Sequence, residues 1–223
     1  MDIGKGRKYQ GQWKADKYKS TWEGLGNIKF PDGAVYQGMT YKGLFHGKGR
    51  ITHKNGDIYH GEWKEGKACG KGVFIDQNGS MYDGEWLNDM YHGIGTEQWK
   101  YNQIKYTGDF VNSQKTGKGK FEFDGNVYEG DFVDGQFHGQ GKYYFAESGK
   151  KYEGEFVENN IQGKGTMTWP DASTYTGDFV DGKADGFGVK KYADGSIYEG
   201  EWKQDMRHTV DQEAKFFNGK TKK

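Results

Sequence analysis

Tyr152-Glu153-Gly154-Glu155-Phe156, followed by Gly163-Lys164-Gly165-Thr166-Met167-Thr168-Trp169, is the stretch whose alternation decides the fold. In the first segment Tyr152, Gly154 and Phe156 share one parity and the two glutamates the other. That is the period-two alternation of a half-buried strand. The second segment keeps the rule, with Gly163, Gly165, Met167 and Trp169 on one face. Glycine ordinarily weakens a strand. Here it lets neighbouring rings lie flat over bare backbone, the cross-strand arrangement called aromatic rescue.

Both segments recur. Tyr-x-Gly-x-aromatic appears at Tyr9, Tyr59, Tyr82, Tyr106, Tyr128, Tyr152, Tyr175 and Tyr198, and a further copy at Tyr36 has Thr40 where the second ring belongs. From Tyr36 onward these tyrosines lie 23, 23, 24, 22, 24, 23 and 23 residues apart. Gly-x-Gly begins at Gly24, Gly47, Gly70, Gly93, Gly117, Gly139, Gly163 and Gly186. Asp32-Gly33, Asn55-Gly56, Asn78-Gly79, Asp124-Gly125 and Asp194-Gly195 precede tyrosine strands, while Asp134-Gly135 and Asp181-Gly182 follow them. Such dipeptides favour the positive-φ turns of tight hairpins. Each repeat therefore reads as two short strands in an antiparallel meander. Extra residues around Ala15 to Ser20 predict a longer loop, and Asp211 to Phe217 a short terminal helix.

Composition fits a thin sheet. Only 33% of the 223 residues are hydrophobic but 17% are aromatic, so the apolar material is largely rings. Net charge is zero, which disfavours nucleic acid, whose phosphates call for a basic excess. Balanced charge also disfavours attachment to anionic membrane by bulk electrostatics; the one basic run is Lys220, Lys222 and Lys223. A lone cysteine, Cys69, permits no internal disulfide and suits a cytoplasmic setting. The first residues lack a signal-peptide apolar run, and no segment has the length of a membrane-spanning helix.

These residues closely resemble the MORN repeat, in which tyrosine, glycine and an aromatic on one strand precede Gly-x-Gly on the next. The resemblance implies an all-β, elongated single-sheet solenoid of about nine β-hairpins in an antiparallel meander. It implies a single domain over 1–223, with repeats over about 9–209, a half-repeat cap at 1–8 containing Gly4-Lys5-Gly6, and a cap or tail at 210–223. Strands spaced about 4.8 Å apart, two per repeat, would make a rod of roughly 85 Å.

The residues capable of chemistry read as structural. His46, His92 and His138 each precede a Gly-x-Gly but stand two repeats apart, roughly 20 Å, too far to share a metal. Glu153, Glu155, Asp131, Asp178, Glu199 and Glu201 alternate with lysines on an open strand face, as cross-strand ion pairs do. Neither a strand-to-helix Gly-x-Gly-x-x-Gly nor a Walker-type loop is present, and Gly219-Lys220-Thr221 lacks the upstream glycine. The chain is therefore expected to be no enzyme and to need no cofactor or metal.

One surface remains. A single-layer sheet is expected to leave its rings partly open, as a partner-binding groove made by Tyr59, Trp63, Tyr82, Trp86, Tyr106, Phe110, Tyr128, Phe132, Tyr152, Phe156, Tyr175 and Phe179. End strands offer edges for pairing with a second copy or another protein. Similarity to bare MORN proteins of radial spoke heads implies a scaffold binding axonemal or cytoskeletal proteins in a cilium or flagellum. Similarity to MORN repeats of lipid kinases and junction proteins implies the alternative, a membrane-proximal or phosphoinositide-binding module.

Overall fold

The computed structural model describes residues 2–15, 20–101, 103–208 and 215–217. Two compact units divide the chain, Met1–Gln114 and Lys115–Lys223. The first holds β1 (Lys8–Ala15), β2 (Ser20–Lys29), β3 (Val35–Tyr41), β4 (Leu44–Thr52), β5 (Ile58–Lys64), β6 (Lys67–Ile75), β7 (Met81–Leu87), β8 (Met90–Trp99) and β9 (Ile104–Val111). Each pairs antiparallel with the next. The second holds β10 (Gln114–Phe123) but for its first residue, β11 (Asn126–Val133), β12 (Gln136–Tyr144), β13 (Lys151–Val157), β14 (Asn160–Thr168), β15 (Thr174–Val180), β16 (Lys183–Lys191) and β17 (Ile197–Lys203), again paired in order. Short strands β18 (Met206–Arg207) and β19 (Lys215–Phe217) both pair with β17. The all-β hairpin meander expected from the alternation is what forms.

A line of glycines runs across the strands of each unit. Gly130 pairs with Gly119 on one side and Gly141 on the other, and Gly38 with Gly26 and Gly49. The tyrosine two residues before each such glycine lays its ring over the paired glycines. A Cβ on Gly130 would stand 2.5 Å from the Tyr128 Oη and 2.6 Å from the Gly141 Cα. Aromatic rescue is thus the reason for these two glycines of each repeat.

The remaining glycine, first of each Gly-x-Gly, has another cause. Gly47, Gly70, Gly93, Gly117, Gly139 and Gly163 adopt φ between 57° and 64°. In β4, β6, β8, β12 and β14 the register shifts beside that glycine, as a β-bulge with glycine in the left-handed region requires. The plain alternation through Gly-x-Gly is therefore broken at its first glycine.

Turns within repeats carry two positive-φ residues even without glycine, as at Asn88 (52°) and Asp89 (68°). Between repeats the expected tight Asp-Gly turn forms only at Asp124-Gly125 (49° and 79°). At Asp32, Asn55 and Asp194 the loops are longer. Only the following glycine has positive φ, and the side-chain oxygen accepts the N–H two residues on, at 2.9–3.1 Å.

Two terminal expectations change. Lys215–Phe217 is strand rather than helix, because the β17 edge still offers unpaired backbone at Ile197 to Glu199; residues 211–214 lie outside the described set. Gly4-Lys5-Gly6 forms a positive-φ turn closed by the Arg7 N–H donating to the Gly4 carbonyl at 3.2 Å, not a Gly-x-Gly strand. The loop expected around Ala15 to Ser20 and the Lys220, Lys222 and Lys223 run also fall on residues outside the described set.

Candidate interaction face

Tyrosines organise this face. The hydroxyls of Tyr9, Tyr36, Tyr59, Tyr82, Tyr106, Tyr128, Tyr152, Tyr175 and Tyr198 each donate to the backbone carbonyl three residues on, at 2.6–3.4 Å. Burial raises the phenol pKa of Tyr9, Tyr36, Tyr59, Tyr82, Tyr106, Tyr128, Tyr152 and Tyr175, up to about 12 at Tyr128 and Tyr152, so these donors stay protonated. Except at Tyr36, a ring four residues on meets the tyrosine edge-on, as Phe132 meets Tyr128 at 5.2 Å and 85°. The corresponding ring of the next repeat approaches the same tyrosine, as Phe156 does at 5.0 Å and 84°.

This packing buries what a one-layer sheet was expected to leave open. Tyr59, Tyr82, Tyr106, Phe110, Tyr128, Phe132, Tyr152, Phe156, Tyr175 and Phe179 are buried, and Trp63 and Trp86 keep only 8% exposure. T-shaped contacts let each ring cover its neighbours' faces, so the rings themselves act as the second layer. In the Tyr36 repeat, Thr40 is buried in place of a ring, and its hydroxyl reaches the Trp22 and Gly24 carbonyls at 3.2 Å.

Above the tyrosines sits a lid position, two residues before each Gly-x-Gly, that the repeat pattern passes over. Phe45, Tyr91 and Phe137 stack on Tyr36, Tyr82 and Tyr128 at centroid distances of 3.8, 3.7 and 3.8 Å. The recurring ring at Trp22, Phe45, Tyr91 and Phe137 was the available signal. Ala68 and Ala184 occupy this position in two repeats, and there the face opens into grooves. Tyr59, Trp63, Ala68 and Trp86 line the first. Tyr175, Phe179, Ala184 and Trp202 line the second. Six of the twelve expected partner-binding residues thus border open space, the sixth being Tyr152, in a third groove that Tyr143 and Thr168 also line.

The opposite face is polar. Lys118–Asp131, Lys142–Glu153 and Lys164–Asp178 are cross-strand ion pairs at 2.6, 3.1 and 2.9 Å, as the alternation implies. The acid after each tyrosine-strand glycine has a second task. Asp131, Glu155 and Asp178 each accept the N–H of the central residue of the next Gly-x-Gly, at 3.0, 3.2 and 3.1 Å, satisfying a donor that the bulge displaces from the ladder. Gln12 does the same for Leu25 at 3.0 Å.

Cys69, His92 and His138 lie on this side opposite Glu62, Glu85 and Asp131. Burial, then the Glu62 charge, raises the Cys69 thiol pKa, which keeps it protonated and poorly nucleophilic. Among the described residues no three His, Cys, Asp or Glu side chains are grouped to hold a metal.

The MORN repeat family matches residues 9–19, 36–58, 59–81, 82–100, 106–126, 128–150, 152–174, 175–197 and 198–208. No curated protein matches the chain. Among solved structures, the G-box domain of the microcephaly protein CPAP is similar in fold, with TM-score 0.51 and 13% identity over 86% of this chain and 96% of that one. The SAS-4 (dCPAP) TCP domain of Drosophila melanogaster, in complex with a proline-rich motif of Ana2 (dSTIL), gives TM-score 0.44 and 14% identity over 75% and 89%. A mutant TCP10 domain of Danio rerio CPAP gives 0.44 and 13% over 79% and 82%.

Proposed function

This chain belongs to the MORN repeat family, and from that premise we propose that it is a non-enzymatic scaffold that binds other proteins in a cytoskeletal assembly, of the kind found in a ciliary or flagellar axoneme. The observation that supports this reading is the pair of grooves at Ala68 and Ala184, where the aromatic face lacks its lid. A purely structural element would gain by filling both positions, as Phe45, Tyr91 and Phe137 do. The grooves there present the half-buried rings of Phe74, Tyr91, Trp169 and Tyr192, aromatic surface of the type enriched at the centres of protein interfaces. The polar face, with its ion-paired ladder, supplies solubility.

Proximity labelling in a ciliated cell tests the reading. Axonemal neighbours, lost when Ala68→Phe and Ala184→Phe are combined, are the expected result. Neighbours confined to membranes, with flotation on phosphoinositide vesicles, would replace it with the membrane-tethering alternative.

A further inference from the structure

The repeat carrying Tyr175 departs from its siblings at two positions of the aromatic face, and both departures open on one groove. Ala184 stands where Phe45, Tyr91 and Phe137 place a ring flat on their tyrosines. Lys190 stands across from Tyr175, where Ile51, Phe74, Tyr143 and Met167 stand across from theirs and Glu97, of opposite charge, stands across from Tyr82. A ring is missing and an ammonium has been added.

The added charge is not alone. Lys150 and Arg207 line the same groove. The Lys190 ammonium lies 3.0 Å from the centroid of Trp169, and the Arg207 guanidinium lies 5.3 Å from that of Tyr192. Burial lowers the Lys190 pKa, with Lys150 acting in the same direction and Asp171 opposing. The groove's own carboxylate, Asp205, already accepts the Ala184 N–H at 2.8 Å. Three cations and one carboxylate thus line a largely aromatic groove, an excess of positive charge in a chain whose net charge is zero. The groove at Ala68 has no lysine or arginine in its lining.

The aromatic walls and the cations together define what the groove accepts. We propose that this groove docks an acidic peptide segment of a protein partner, which packs one phenylalanine-sized side chain against the groove's aromatic walls and sets carboxylates against Lys150, Lys190 and Arg207. This rests on the reading of the aromatic face as a partner surface and names the partner's chemistry. Walls of Phe179 and Trp202 match the setting of Tyr91, which sits between Trp86 and Phe110 at 4.8 and 5.9 Å. A ring at Ala184 therefore has a precedent within this chain, and Ala184→Phe supplies the occupant from the protein itself.

The test titrates ¹⁵N-labelled full-length chain with three capped peptides, Asp-Glu-Phe-Glu-Asp, Asp-Glu-Ala-Glu-Asp and Lys-Lys-Phe-Lys-Lys, following the tryptophan indole resonances. Saturable shifts at Trp169 and Trp202 with the first peptide alone are expected, weakened by salt. Ala184→Phe should reduce affinity at least tenfold, and Lys190→Met at least threefold. Equal binding of the basic peptide, or of the alanine peptide, would overturn the proposal without relying on any protein variant. Shifts confined to Trp63 and Trp86 would overturn this site while leaving the aromatic-face reading in place. Silence with every peptide, joined to Lys190-dependent binding of vesicles containing phosphatidylserine, would reassign the groove to a lipid headgroup.

Discussion

The Tyr128 hydroxyl donates to the Asp131 backbone carbonyl at 2.8 Å, over Gly130, the residue just before Asp131 on β11. This bond ties the ring flat against the sheet, and it explains why the repeat uses tyrosine where phenylalanine would bury as much area. Tyr128→Phe leaves that carbonyl short of a donor, an expected cost of about 1–2 kcal/mol. Urea unfolding followed by tryptophan fluorescence measures it; an unchanged midpoint would show that the ring alone suffices.

Glycines of one repeat should differ sharply in tolerance. A Cβ on Gly141 would lie 2.5 Å from Tyr128 Cε2, so Gly141→Ala must displace the ring and should cost about 3 kcal/mol. Gly135 has φ of 78°, and a Cβ added there would meet nothing within 4 Å. Asn159 holds the equivalent turn position at φ 70°. Gly135→Asn is therefore expected to stay within about 0.5 kcal/mol of the parent. Equal losses at the two sites would refute the division between ring-covered and turn glycines.

The strands, their pairing and their inward faces were legible because tyrosine and glycine mark the same parity in every repeat. Three things were not. The bulge at Gly139 is invisible to a two-residue period, since it is the place where that period fails. The near-complete burial of Phe110 and Phe156 depends on rings of neighbouring repeats meeting edge to face, a relation between residues about two dozen positions apart. The lid position escaped because it varies, from Phe45 through Ala68 to Ile161. A consensus discards such variation, yet that variation decides where the face is open.

Alkali should unfold the chain through its buried phenols. Burial lifts Tyr128 and Tyr152 to about 12, above the value of about 10 for a tyrosine in an unfolded chain. A raised folded-state pKa means the stabilisation is full below pH 10 and is lost as pH rises toward 12. Absorbance at 295 nm and circular dichroism, recorded together, should show the late-titrating phenols ionising in step with loss of the sheet. Complete ionisation with the sheet intact would contradict the burial of these hydroxyls.

Asp131 separates two roles that share one carboxylate. Its pKa is lowered chiefly by the hydrogen bond from Lys118, against the effect of burial, with a smaller contribution from the Gln140 N–H. Depression of the folded-state value means this contribution is present above the ordinary carboxylate range and fades as pH falls through the lowered pKa. Asp131→Asn keeps an acceptor for the bulge, as Gln12 does for Leu25, and loses only an exposed ion pair, about 0.5 kcal/mol. Asp131→Ala also leaves the Gln140 N–H without its side-chain acceptor and should cost about 1 kcal/mol more. Equal stability of the two variants at pH 7 would mean that the Gln140 bond contributes nothing and that the acid serves the ion pair alone.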